Sequence, residues 1–378
     1  MNTQQLLDSL IGFPTVSRDS NLDLIEFVRI YLAARGVSSE LFMDASGRKA
    51  NLFATVGPKD RGGIMLSGHT DVVPVDGQDW SSDPFRMIER NGALYGRGTA
   101  DMKGFIAAAL AAADRASQRP LRSPLHLALS YDEEIGCVGV RSMIDAMVHW
   151  KVRPRLCIVG EPTMLRPAVG HKGKTALHAR CTGQAIHSAL APHGVNAIYL
   201  ATDLIQRVRA LQHQIECSGP RDADFDVPYT TLHVGVIRGG VALNIVPDHC
   251  ELELEIRNMP DEPAQRLVEA IRAEAAKVAT VPRSGIELTI INDYPALATP
   301  GDSEVVALVS GATGEHQRIK VGFGSEAGLF SAQLGIPSVV CGPGSINDAH
   351  RANEFVSIDQ LARCDAMLET VLESLSAA

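Results

Sequence analysis

Five short apolar runs, separated by segments of helical period, restrict this chain to an alternating α/β architecture. The runs are NLFATVG, GGIMLSG, LHLALSYDEE, RLCIVGEPT and PSVVCGPG, and each reads as a strand. Leu6 to Phe13 and Leu22 to Arg35 read as helices, and a final helix is expected over Ile358 to Leu375. Met102 to Ala116 is alanine-rich and apolar on nearly every side, which predicts a buried helix.

Between about Thr175 and Ile291 the pattern changes. TALHARCTG alternates, as a strand does, and Ala197, Ala201, Leu204, Val208 and Leu211 then recur at helical spacing. TTLHVGVI and CELELEIR are further alternating runs; in the second, Cys250, Leu252, Leu254 and Ile256 point one way and Glu251, Glu253, Glu255 and Arg257 the other. Ala264, Leu267, Val268, Ile271 and Ala275 mark a helix, and IELTIIND a strand. The order β-α-β-β-α-β is that of a ferredoxin-like unit. The chain therefore reads as a first domain of residues 1–174 and 292–378 with a second domain, 175–291, inserted into it.

Composition narrows the function. The net charge is −9 and no basic block occurs, so the electrostatic footprint of a nucleic-acid binder is missing. No apolar run approaches the ~20 residues of a membrane span, and the amino-terminal MNTQQLLDSLIGFP lacks the pattern of a signal peptide. Seven scattered cysteines without a CxxC suit a reducing cytosol and offer neither a disulfide framework nor a thiolate zinc site.

The apolar runs of the first domain end alike. IMLSGHTDVVP presents His69 and, two residues on, Asp71. LHLALSYDEE ends in Glu133 and Glu134, RLCIVGEP supplies Glu161, GPGSINDAHR supplies His350, and GRGTADMKG places Asp101 ahead of the buried helix. Open α/β sheets gather ligand sites at the carboxyl ends of their strands. Taken singly, these residues have ordinary readings: a strand-end histidine, a turn aspartate, a helix cap, a solvated acidic pair. Collected on one rim they do not, because clustered carboxylates repel one another unless protonated or bound to cations. Imidazole with carboxylate suits zinc, cobalt or manganese. Such a set is large enough for two metals sharing one carboxylate, an arrangement that acidifies water and polarises a carbonyl.

GHTDVVP, GRGTADMKG, DEEIG, GEPT and GPGSINDAH together resemble the M20 family of metal-dependent aminoacylases and peptidases, and the likeness extends over essentially the whole chain. The resemblance implies a zinc-peptidase-like α/β catalytic domain carrying an inserted ferredoxin-like lid and dimerisation domain, two divalent ions (zinc, with cobalt as an alternative), and a cytoplasmic homodimer. It implies that His69 and Glu161 hold one metal, Glu134 and His350 the other, and that Asp101 bridges them. Glu133 is then the general base, and Asp71 the carboxylate that orients His69. His187, in GQAIHSA, corresponds to a lid histidine that stabilises the tetrahedral intermediate, donated across the dimer. Arg257 and Asn244 match positions that hold substrate carboxylate or polar groups, and Ser325 and Glu326, in GFGSEAG, fall near the expected rim as further substrate-binding residues, Glu326 for a cationic side chain such as that of ornithine. A cis peptide bond after Asp101 is a further expectation of the family. The remaining histidines, His171 and His193 among them, read as ordinary.

The activity implied is hydrolysis of an N-acyl amino acid, N2-acetylornithine foremost, and Glu rather than Asp at position 161 accompanies deacylases and carboxypeptidases in the family. Desuccinylation, another deacylation, or carboxypeptidase cleavage stand beside it. A non-catalytic metal or ligand binder is the alternative of a different class, against which Glu133 is present. A serine hydrolase lacks its G-x-S-x-G elbow here.

Overall fold

A computed structural model describes residues 1–280 and 282–376. They divide into two compact units. The first comprises Met1–Gly170, Leu297–Lys320 and the chain from Ser325 onward; the second comprises His171–Ala296 with Val321–Gly324.

The first unit is built on a nine-stranded sheet. Its path runs Ser39–Met43, Ala50–Val56, Leu125–Ser130, Ile64–His69, Leu156–Pro162, Ser338–Gly342, Ala168–His171 and Leu297–Ala298, with Ile319–Val321 paired to Ala168–His171. The four strands from Leu125–Ser130 to Ser338–Gly342 are mutually parallel. All of their residues are buried, as the continuous apolar runs require of strands covered on both faces. The helix Gly104–Ser117 packs against the sheet with an almost wholly buried surface. Alanine suits that place, because it loses no side-chain entropy and lets backbones approach. Helices Thr3–Ile11 and Ile358–Leu375 pack onto it in turn. The first of these is closed by a capping box between Asn2 and Gln5, the last by Ser357 accepting the Gln360 N–H.

Contact between the Gly104–Ser117 helix and the sheet is closest at Gly160. A Cβ there would lie 1.9 Å from Cγ of Phe105, so only glycine permits this approach. Gly160 immediately precedes Glu161, and the packing therefore also fixes where that carboxylate leaves the strand.

The second unit is a four-stranded antiparallel sheet in the order Thr231–Gly239, His249–Arg257, Lys174–Thr182, Gly285–Tyr294. Helices Ala197–Ser218 and Ala264–Val278 contribute to one core with it. Strand order 2-3-1-4 with two helices is the ferredoxin-like arrangement. Cys250, Leu252, Leu254 and Ile256 are buried in that core, as their alternation predicts.

Some expectations shift. The helix expected from Met102 begins at Gly104, because Asp101 and Met102 have non-helical dihedrals (φ −122°, ψ 94° and φ −132°, ψ 33°). The expected boundaries at 174/175 and 291/292 lie inside the second unit, whose main segment extends over His171–Ala296. Short pairings before and after the insertion account for this: Ala168–His171 and Leu297–Ala298 are small strands of the first sheet that no strong apolar pattern announces. Among the described residues no helix is long and apolar enough to cross a membrane.

Candidate metal centre

The neighbouring parallel strands Leu125–Ser130, Ile64–His69, Leu156–Pro162 and Ser338–Gly342 deliver their following residues to one edge of the sheet. His69 is the last residue of its strand; Glu133 and Glu134 follow Leu125–Ser130; Glu161 closes another strand; His350 lies in the loop after Ser338–Gly342. Asp101 comes from the kinked turn Thr99–Lys103, and its peptide bond to Met102 is cis, as the family likeness led us to expect.

Asp101 stands between two imidazoles. Its Oδ1 lies 3.0 Å from His69 Nε2 and its Oδ2 lies 3.1 Å from His350 Nε2. Glu161 Oε1 is 3.7 Å from His69 Nε2, and Glu134 Oε2 is 3.1 Å from His350 Nε2. Donor atoms of His69, Glu133 and Glu161 all lie within 4.8 Å of one another, and so do those of His69, Asp101 and Glu134. The five expected ligands and the expected base are thus brought together, with one oxygen of Asp101 turned to each histidine.

The electrostatics of this cluster are those of crowded, buried like charges. Burial and then the neighbouring Asp101 push Glu161 up to about 8 and Glu134 up to about 7. Burial, reinforced by Glu161, holds Glu133 well above the ordinary glutamate range. His350, hydrogen-bonded to Asp101 and Glu134, is raised to about 11. Burial disfavours the charged form of His69, yet Glu161, Asp101 and Asp71 overcome it and keep that imidazole strongly basic. Four carboxylates and two imidazoles converge here, and carboxylates buried so close together favour protons or cations beside them. A hard-to-borderline divalent ion with N/O preference fits this donor set, and no thiolate takes part in it.

Asp71 corrects an expectation. His69 Nδ1 is 2.9 Å from the Asp71 backbone carbonyl, while the Asp71 carboxylate stands off at 3.6 Å. The main chain therefore sets the ring orientation. The carboxylate instead accepts the backbone N–H groups of Glu133 (3.1 Å) and Glu134 (3.3 Å) and the Ser17 hydroxyl (2.7 Å). It fixes the loop that carries the base and a ligand, a role that Ser17 shares and that the sequence did not disclose.

Ser325 and Glu326 are corrected as well. They are 0% and 1% exposed, so neither side chain is available to a substrate. Glu326 Oε2 accepts from Ser67 Oγ at 3.3 Å, and Ser325 Oγ accepts the Ala327 N–H at 3.3 Å. Burial pushes Glu326 up to about 7.

His187, Asn244 and Arg257 belong to the second unit. The first two are exposed and lie on segments that pair: Ser188 N–H donates to the Asn244 carbonyl at 2.9 Å, and Val246 N–H to the Ile186 carbonyl at 2.8 Å. His187 Nδ1 accepts the Ala189 N–H at 3.2 Å. Arg257 is already engaged, donating to Glu255 at 2.7 and 3.2 Å and to the Tyr294 hydroxyl at 2.8 Å. Its fork is not free for a substrate carboxylate in this state.

Comparison with known proteins gives the family of this chain. The pattern of Peptidase family M20/M25/M40 matches residues 65–374. An acetylornithine deacetylase from Myxococcus xanthus is 37% identical over 370 residues, covering 96% of this chain and 94% of that one. An acetylornithine deacetylase from Pasteurella multocida is 36% identical over 363 residues, covering 94% and 93%. Among solved structures, an M20 family metallo-carboxypeptidase from Sulfolobus solfataricus superposes with a TM-score of 0.81 over 99% of both chains at 20% identity. The chain belongs to peptidase family M20/M25/M40.

Proposed function

We propose that this protein is a dinuclear metallohydrolase that cleaves the amide bond of N-acyl amino acids, with N2-acetylornithine as substrate and ornithine and acetate as products. The observation that carries the chemistry is Asp101 with one oxygen toward each of two imidazoles, Glu133 lying beside them. The substrate rests on the two acetylornithine deacetylases to which nearly the whole chain is similar.

In this reading His69 and Glu161 would hold one divalent ion, Glu134 and His350 the other, and Asp101 would serve both; zinc fits, and cobalt fits equally. The ions supply Lewis acidity, lowering the pKa of water and polarising the amide carbonyl. Glu133 takes a proton from the attacking water as the new C–O bond forms. It returns that proton to the nitrogen as the C–N bond breaks, releasing acetate and the free amine. Its backbone N–H donates to the Asp71 carboxylate at 3.1 Å, which holds the base in place for both halves of this transfer. His187 donates a hydrogen bond to the developing oxyanion, supplied by a second copy of the chain in a cytoplasmic homodimer. Asn244 and Arg257 orient the substrate, whose carboxylate competes with Glu255 for the guanidinium fork.

The deciding measurement is kcat/KM for N2-acetylornithine with zinc- or cobalt-loaded protein. A value of about 10⁴ M⁻¹s⁻¹ or more is expected, in the ordinary range for an enzyme on its own substrate. Negligible turnover by folded, metal-loaded protein overturns the substrate and moves the search to succinylated and other acylated amino acids.

A further inference from the structure

Asp101 and His350 reach the same point from segments far apart in sequence, and something must hold the two together. The main chain of each is gripped by one buried ion pair. Arg97 and Glu354 are both 1% exposed and meet at 2.6 Å. Glu354 Oε2 accepts the Gly98 N–H at 3.0 Å, and Oε1 accepts the N–H groups of Ala100 at 2.9 Å and Asp101 at 3.1 Å. One carboxylate thus collects three backbone donors of the turn that presents Asp101. That turn contains Gly98 at φ +87°, a conformation L side chains rarely adopt.

Arg97 secures the other side. It donates to the Arg351 carbonyl at 3.3 Å and to Gln78 Oε1 at 2.5 Å, and Gln78 Nε2 donates to the His350 carbonyl at 3.2 Å. Trp80 covers the guanidinium at 5.1 Å and donates to the same Gln78 oxygen at 3.0 Å. His350 and Asn353 in this segment sit at φ +61° and +59°, in the left-handed region.

A buried pair is poor evidence for stability in itself, since desolvation offsets the attraction. This one is connected almost wholly to the two segments that converge on the metal centre. We propose that Arg97, Glu354 and Gln78 are positioning residues that set the relative placement of Asp101 and His350, and through it the affinity of the site for its metals. The proposal rests on the reading of Asp101 and His350 as ligands.

Cobalt(II) titration of metal-free wild type, Glu354→Gln and Gln78→Ala, followed by visible absorption and by metal analysis, tests it. Wild type is expected to bind two equivalents. Both variants should bind the weaker equivalent with a dissociation constant raised, roughly 10–100-fold for Glu354→Gln, with an altered cobalt spectrum. Loss of thermal stability alone would leave these readouts unmoved. If wild type takes up no second equivalent, the ligand reading fails and this inference with it. If wild type binds two and folded Glu354→Gln binds both with native affinity and spectrum, the inference alone is overturned. Should Glu354→Gln not fold, Gln78→Ala decides in the same way, because its half-buried side chain bears no part of the ion pair.

Discussion

Glu133 and Glu134 are adjacent in sequence yet differ in surroundings. Glu134 faces His350 and Asp101, whereas Glu133 shares its space with His69, Glu161 and the Cys137 thiol, which donates to it at 3.3 Å. Glu133→Gln preserves shape and removes the proton acceptor. It is expected to lower kcat by about 10²–10⁴-fold while two metals remain bound, as read by steady-state kinetics beside metal analysis. Near-native kcat would remove Glu133 from the role of base. The crowded carboxylates also predict how the metal-free protein responds to pH. Glu134 is raised from 4.5 to about 7 by burial and by Asp101, and Glu161 to about 8. Between about pH 4.5 and these values the folded state holds more protons than the unfolded one, so stability falls as pH rises. Both histidines, raised above 6.5, act in the same direction at higher pH. The melting temperature of metal-free protein should therefore drop from pH 5 to pH 8, the carboxylates and the histidines adding in the same direction. Loading with metal should largely remove the slope. A flat profile for metal-free protein would contradict this account of the cluster.

Strands and helices place these groups only as precisely as their packing allows. Glu161 leaves its strand directly after Gly160, where a methyl group would meet the Phe105 ring at 1.9 Å. Gly160→Ala is expected to destabilise the protein by about 1–3 kcal/mol or more, seen in urea unfolding, since either the helix Gly104–Ser117 or the strand must yield. The displacement should also weaken metal binding through Glu161. An unchanged unfolding midpoint would show that the contact relaxes freely. The same element explains an error of reading. Apolar periodicity runs from Met102 into the helix, but Met102 has non-helical dihedrals, and Asp101 just before it donates its N–H to Glu354, a residue 253 positions away. Local sequence carries no record of such a bond.

For the molecule as a whole, the proposed sharing of His187 between two copies is open to a mixing experiment. Glu133→Gln and His187→Ala homodimers should each be nearly inactive. In a mixed dimer one of the two sites regains both groups if His187 acts across the interface, so random exchange of equal amounts should restore about one quarter of wild-type activity. No recovery after verified exchange would rule out sharing. What sequence alone determined was the order of elements, the buried parallel strands, the ferredoxin-like insertion and the candidate ligands, because each follows from periodicity or from a residue type at a strand end. The tertiary structure decided which polar groups face each other. It turned the Asp71 carboxylate to the Glu133–Glu134 backbone instead of to the His69 ring, enclosed Ser325 and Glu326, tied Arg257 to Glu255 and Tyr294, and joined Arg97 to Glu354. A hydrogen bond depends on ångströms and angles between segments distant along the chain, and hydrophobic pattern, which works through area, is indifferent to both.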